Sequence, residues 1–231
     1  MQLLTVRDYL EMSLGAANIV SNAVTARPNL TICLPTGRTP KGMYRELVRR
    51  RRVEGLSFFD VIFFNLDEYV GLAPEHTQSF RSYLRRELFD HINVGPANIY
   101  PPDENYEDTI RNKGGVDLLI SGIGANGHIA FNEPGSILES RTRIVDLAQS
   151  TLDGMRANFT PEELPRQAIT IGLATIMEAR RVLLLASGKA KAQILARALT
   201  EPINSEVPAS VLQGHPDTTV IADEAALEVF H

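Results

Sequence analysis

Apolar runs and amphipathic segments alternate along the whole chain. "NLTICL", "FDVIFFNL", "VDLLISGI", "AITIGL", "RVLLLAS" and "TTVIA" are largely apolar without clean alternation, which predicts strands buried on both faces. Between them "TPKGMYRELVRRRR", "SFRSYLRRELF", "KAKAQILARALT" and "DEAALEVF" carry helical spacing. In the first of these, Thr39-Pro40 reads as an N-cap followed by proline at the first helical position. The alternation implies crossover helices and an α/β doubly wound fold, a mainly parallel sheet with helices on both faces. No repeat, biased tract or linker divides the chain, so residues 1–231 are expected to form one domain. "TPEELPRQ", from Thr160, is the most loop-like long stretch and is expected to belong to a lid. Ligands of open parallel sheets bind beyond the carboxyl ends of the strands. The residues after each apolar run are therefore where chemistry is expected.

Composition narrows the partners. A net charge of −5 disfavours nucleic acid, which needs a broad basic face, but leaves an anionic small molecule open if local cations hold it. The single cysteine, Cys33, excludes an internal disulfide and a thiolate metal cluster, and its apolar surroundings predict a buried core thiol. The first twenty residues place Arg7, Asp8 and Glu11 inside an apolar pattern and are not expected to act as a signal peptide. No segment approaches the ~18 uninterrupted apolar residues of a membrane span, so a cytoplasmic protein is expected.

Four strand ends carry candidate chemistry. "SGIGANGHIAFNEPG" places Gly122, Gly124 and Gly127 on the G-x-G-x-x-G spacing of a dinucleotide-binding turn. That turn needs a helix opening at the last glycine. Here His128 follows at once and Asn132-Glu133-Pro134-Gly135 would stop a helix after little more than one turn, so no nicotinamide or flavin is expected. What remains is a turn presenting Asn126, His128 as a proton shuttle near neutral pH, and Glu133 to orient the ring. In "ICLPTGRTPKGMY" the amides of Gly37 to Thr39 with the hydroxyls of Thr36 and Thr39 form an anion cradle, without the lysine of a nucleotide P-loop. "LLASGKAKAQ" puts Lys189 and Lys191 in the first turn of a helix, where a lysine opposes the dipole and a nearby anion explains it better. The two cradles suggest one phosphate held from two sides. In "FFNLDEYVGL" the neighbours Asp67 and Glu68 point in different directions, so one can face the crevice as a base while the other caps or pairs.

Taken in order, "LPTGRTP", "NLDEYVGL", "GIGANGHIAFNEPGS", "SRTR" and "SGKAKA" closely resemble the motifs of the glucosamine-6-phosphate deaminase (isomerase) family over nearly the whole chain. The related phosphogluconolactonases carry a different continuation after the Gly-His. The resemblance implies a Rossmann-like fold, no metal, no redox cofactor, and an amino-sugar phosphate as small-molecule partner, in a monomer or homo-oligomer. By position, Asp67 would move the C2 proton to C1, His128 would open the sugar ring with Glu133 and Asn126 around it, and Thr36, Gly37, Arg38 and Thr39 with Lys191 would hold the phosphate. The sequence departs from the family in three places. Asn126 stands where several members have aspartate. The family's substrate-binding arginine falls at Ala157, which leaves Arg156, one place away, as its candidate replacement. Of the positions that bind an N-acetylated activator in allosteric members, Arg143 remains but Val145 replaces a lysine, and no tyrosine is expected from a C-terminal tail. A galactosamine-6-phosphate deaminase and a non-catalytic sugar-phosphate sensor are the rival readings; the former differs only at C4, and the latter could dispense with the base.

Overall fold

The computed structural model describes residues 1–160 and 163–230. In chain order its elements are β1 (Gln2–Val6), α1 (Tyr9–Ala26), β2 (Thr31–Leu34), α2 (Lys41–Val53), β3 (Ile62–Asn65), β4 (Asp67–Tyr69), α3 (Phe80–Glu87), β5 (Ile99–Tyr100), α4 (Tyr106–Asn112), β6 (Leu118–Gly122), β7 (Arg143–Asp146), α5 (Gln149–Met155), β8 (Gln167–Thr170), α6 (Leu173–Met177), β9 (Val182–Ala186), α7 (Ala192–Thr200) and β10 (Thr218–Asp223). Seven strands form one sheet in the order β1-β10-β9-β6-β2-β3-β5, with every pair parallel. Successive residues of a strand point to opposite faces, and both faces are covered. Ile32 and Leu34 pack with Met12, Val20, Tyr44 and Leu84 from α1, α2 and α3. Cys33 between them packs with Tyr106, Ile176 and Leu195 from α4, α6 and α7. This double burial is why these strands read as unbroken apolar runs, and it places Cys33 in the core as expected.

One run behaves differently. "AITIGL" forms β8, which lies outside the parallel sheet, between β4 and β7 in a small antiparallel sheet. Gln167 is exposed and Ala168 buried, the alternation of a strand covered on one face. A small cluster of Phe131, Leu147, Leu152, Met155 and Ala168 covers that face. Strands β1, β4, β5 and β7 had no clear apolar run, being edge strands or polar triplets. Three helical segments also differ. Lys189–Lys191 form a 3-10 turn ahead of α7, so Lys191 takes the capping position and neither lysine lies in the helix's first turn. The helix after β2 starts at Lys41, with Pro40 in the capping position and no side-chain cap, so Thr39 is not its N-cap. "DEAALEVF" winds into 3-10 turns over Glu224–Phe230. Of the lid stretch from Thr160, Pro161 and Glu162 lie outside the described residues. Among the described residues no helix is long and apolar enough to cross a membrane.

Candidate active site

Strand order reverses at β2. The chain moves from β2 to β3 and β5 on one side, then crosses back to β6, β9 and β10 on the other. Carboxyl ends of strands diverge at such a point and leave a crevice. Here it is a cleft of about 400 Å³, walled by Pro35–Thr39 after β2, Leu66, Asp67 and Tyr69 around β4, Ser121–Ala125 and His128 after β6, and Lys191 after β9. Tyr69, Phe80 and Phe131 form an aromatic side, with Tyr69 and Phe80 centroids 4.4 Å apart and Phe80 stacked on Phe131 at 5.9 Å.

Asp67 and Glu68 separate as neighbours should. The Glu68 carboxylate accepts from the amides of Tyr69 and Phe80 at 2.9 Å and Arg81 at 2.8 Å, closing the start of α3, where it also complements the helix dipole. Asp67 is 7 % exposed, lines the cleft, and among the described residues its side chain has no hydrogen-bond partner. Burial, with a smaller contribution from the Glu68 charge, pushes its carboxyl up to about 8. A carboxylate so placed is a base of unusual proton affinity.

Across the cleft, the glycine-rich turn forms no helix. Residues after β6 make turns and a single bridge between Ile129 and Asn132. Gly124 is there for space: a Cβ would lie 2.3 to 2.4 Å from three atoms of the His128 ring. Gly127 has φ +88°, and its own Cβ would meet Val207 Cγ1 at 2.9 Å. His128 Nδ1 stands 3.3 Å from Glu133 Oε2, close for a charge pair but off the line of a good hydrogen bond. Asn126 holds Glu133 and not the ring. Its Nδ2 donates to Glu133 Oε2 at 2.5 Å, and its Oδ1 accepts from the His128 amide at 3.3 Å. Thr151 Oγ1 donates to the other oxygen, Oε1, at 2.6 Å. Burial alone would raise the Glu133 carboxyl, but His128, Thr151 and Asn126 outweigh it and pull it down to about 2. An ionised carboxylate of this kind can balance an imidazolium.

The phosphate candidates are split by the structure. Thr36, Gly37, Arg38, Thr39 and Lys191 all line the cleft. Gly37 has φ +88°, and among the described residues no backbone acceptor takes the amides of Thr36 to Thr39. Lys191 makes no ion pair among the described residues, and burial lowers its pKa. The second cradle is already occupied. Asp223 accepts from the Gly188 amide at 2.9 Å, from the Ala226 amide at 2.8 Å and from the Ser187 hydroxyl. Lys189 pairs with Glu228 at 2.8 Å on the surface, so Lys191 alone reaches inward from that strand end. Arg156 is not brought to the cleft; it is exposed and pairs with Asp153 one turn away at 3.2 Å. Arg143 donates to Asn132 Oδ1 at 3.0 Å, half-buried behind the turn. Among the described residues no group of three His, Cys, Asp or Glu side chains could hold a metal ion.

Sequence reasoning missed Thr151, Tyr69, Phe80 and Phe131. Phe131 and Tyr69 sit inside quoted motifs and could have been found. Thr151 gives no signal, since it comes from α5, 18 residues from its partner.

A profile of glucosamine-6-phosphate isomerases/6-phosphogluconolactonase matches residues 11–221. A glucosamine-6-phosphate deaminase of Geobacillus sp. (strain WCH70) is 45% identical over 99% of this chain and 96% of its own. That of Halothermothrix orenii is 42% identical, covering 98% of both chains. A structure described as a monomeric glucosamine-6-phosphate deaminase superposes with a TM-score of 0.94 at 36% identity, over 99% of this chain and 100% of that one. A 6-phosphogluconolactonase from Leishmania guyanensis, at 21% identity with a TM-score of 0.78 over 97% of both chains, shares the fold.

Proposed function

The chain belongs to the family of glucosamine-6-phosphate isomerases and 6-phosphogluconolactonases, and from that premise we propose that it converts glucosamine 6-phosphate and water to fructose 6-phosphate and ammonia. One observation carries the reading: a buried carboxylate, Asp67, with no hydrogen-bond partner among the described residues, faces a His128–Glu133 pair across a cleft that ends in an anion cradle and in Lys191, which makes no ion pair among the described residues.

The steps follow from what each group can do. His128 takes the proton of the anomeric hydroxyl and returns it to the ring oxygen, opening the ring. The imidazolium formed in between is balanced by Glu133, which Asn126 and Thr151 keep ionised. Asp67 then removes the C2 proton. The substrate's own C2 ammonium beside it favours the ionised carboxylate, offsetting the effect of burial. The same carboxyl delivers the proton to C1, while the ammonium gives up one proton and the aldehyde oxygen gains one, leaving a hydroxyl at C1 and a protonated ketimine at C2; water adds there and ammonia departs. No electron acceptor enters this sequence. Thr36 to Thr39 and Lys191 hold the phosphate, whose binding energy orients C1 and C2 between the two walls.

We propose that this site works in a monomer or a homo-oligomer alike. We propose a cytoplasmic location for the reaction. The motifs favour the gluco substrate over the galacto one, and the retained base argues against a sensor. Incubation of the purified protein with glucosamine 6-phosphate should yield fructose 6-phosphate and ammonia in equal amounts; binding without either product would leave the sensor reading in place.

A further inference from the structure

The loop after β2 is held by a feature that no group assigned above provides. Three tyrosine hydroxyls, from three different helices, end on its carbonyl oxygens. Tyr44 of α2 donates to Pro35 O at 2.5 Å, Tyr83 of α3 to Gly37 O at 2.5 Å, and Tyr9 of α1 to Arg38 O at 3.2 Å. The Tyr9 oxygen is used twice, since it also accepts from the Gly42 amide at 2.8 Å. That contact takes one of the free amides at the start of α2, which has no side-chain cap.

In a trans peptide unit the carbonyl and the N–H point in opposite directions. Fixing the carbonyls of Pro35, Gly37 and Arg38 against the helices therefore turns the amides of Thr36, Arg38 and Thr39 the other way. All three residues line the cleft, and their amides meet no backbone acceptor among the described residues. The left-handed Gly37, at φ +88°, supplies the reversal that lets carbonyls on both sides of it reach the helices.

We propose that Tyr9, Tyr44 and Tyr83 are positioning residues of the phosphate site, holding the loop in the one orientation that presents three amides to a dianion. The inference rests on the reading of this loop as the phosphate cradle. Without the Tyr83 hydroxyl, the Gly37 peptide unit can rotate and offer its carbonyl to the phosphate, replacing attraction by repulsion, whereas the Arg38 carbonyl keeps a second hold on the Lys41 amide at 3.3 Å. Tyr83 is suited to the task, because burial raises its pKa and keeps the phenol a donor. Lys41 and Arg86 lie 5.5 and 5.7 Å from its ring centroid, so the same ring holds two cations beside the loop.

Tyr83→Phe tests this while keeping the ring, and Tyr9→Phe repeats it at a partly exposed position. The measurements are kcat and KM for glucosamine 6-phosphate, the inhibition constant of inorganic phosphate, and the melting temperature. The expected result for Tyr83→Phe is a rise of about tenfold in both KM and the phosphate inhibition constant, the size of one lost hydrogen bond to a charged group, with kcat changed by less than about twofold. Tyr9→Phe should move the same two constants less, in keeping with its longer bond. If phosphate inhibits the unmutated enzyme competitively and both variants equally well, the positioning role is refuted and the cradle stands. A fall in kcat or melting temperature with an unchanged phosphate constant refutes it too. If phosphate does not compete in the unmutated enzyme, the cradle itself fails and the inference with it.

Discussion

Replacing Asp67 by asparagine should remove activity and, at alkaline pH, stabilise the protein. The exchange keeps the shape of the side chain and the pairing of β4 with β8 through Thr170, so only the charge changes. In the folded chain the carboxyl sits near 8 against an ordinary value of 3.8, pushed up mainly by burial. A folded-state pKa above the unfolded one means that the folded protein holds the proton more tightly. Stability from this group is then complete below about pH 4 and is lost progressively as pH rises to about 8. At about 1.4 kcal/mol per tenfold change in proton affinity, the displacement sets an upper bound of roughly 6 kcal/mol. The effective dielectric around buried protein charges is nearer ~20 than ~4, which brings the cost to about 2 kcal/mol. For a chain of this size that corresponds to a difference in melting temperature of roughly 4–8 °C. The assay is thermal unfolding of both proteins at pH 5 and pH 8.5, beside turnover with glucosamine 6-phosphate. The variant should gain on the unmutated protein as pH rises and lose about 10²–10⁴ in kcat. A melting-temperature difference that is the same at both pH values would show that Asp67 is an ordinary ionised acid, and turnover within about tenfold of the unmutated enzyme would remove it as the base.

Lys191→Ala should raise KM for the phosphorylated sugar and leave the poor binding of free glucosamine unchanged; no change in either would remove the lysine from the site. Gly124→Ala puts a methyl group where the His128 ring lies, so kcat should fall by about 10² with a smaller change in KM, and a silent variant would mean that the ring position does not matter. Substrate saturation should be hyperbolic, with no activation by N-acetylglucosamine 6-phosphate. Arg143 is half-buried and engaged by Asn132, and Val145 adds no charge to hold an activator's phosphate. A Hill coefficient clearly above one that falls on adding the effector would show a regulatory site built elsewhere.

The parts of the site that could be read from sequence are those whose chemistry is local. Asp67 and Glu68 had to diverge because adjacent side chains do, and Gly124 to Glu133 had to be a turn because Asn-Glu-Pro-Gly stops a helix. The parallel core was legible for a similar reason, since burial on both faces leaves an unbroken apolar run such as "RVLLLAS". What could not be read depends on partners distant in sequence. Thr151 meets Glu133 only because α5 packs over the small sheet, and β8 joins that sheet because β4 and β7 flank it. The Ser187-Gly188 turn looked like a second anion cradle until Asp223, 35 residues on, filled it with a carboxylate. Arg156 failed for the opposite reason: its place one residue from the expected position turned it toward Asp153. Tyr9 and Tyr83 carry no motif, and only their hydroxyl contacts bring them to the loop.

The measurement that bears most directly on the whole account is a side-by-side comparison of kcat/KM for glucosamine 6-phosphate, galactosamine 6-phosphate and 6-phosphogluconolactone with the purified protein, reading ammonia and the sugar product of each. Glucosamine 6-phosphate is expected to be turned over best, with one ammonia per fructose 6-phosphate, and the lactone is not expected to be hydrolysed. Faster release of ammonia from the galacto sugar, or hydrolysis of the lactone without release of ammonia from either amino sugar, would contradict it.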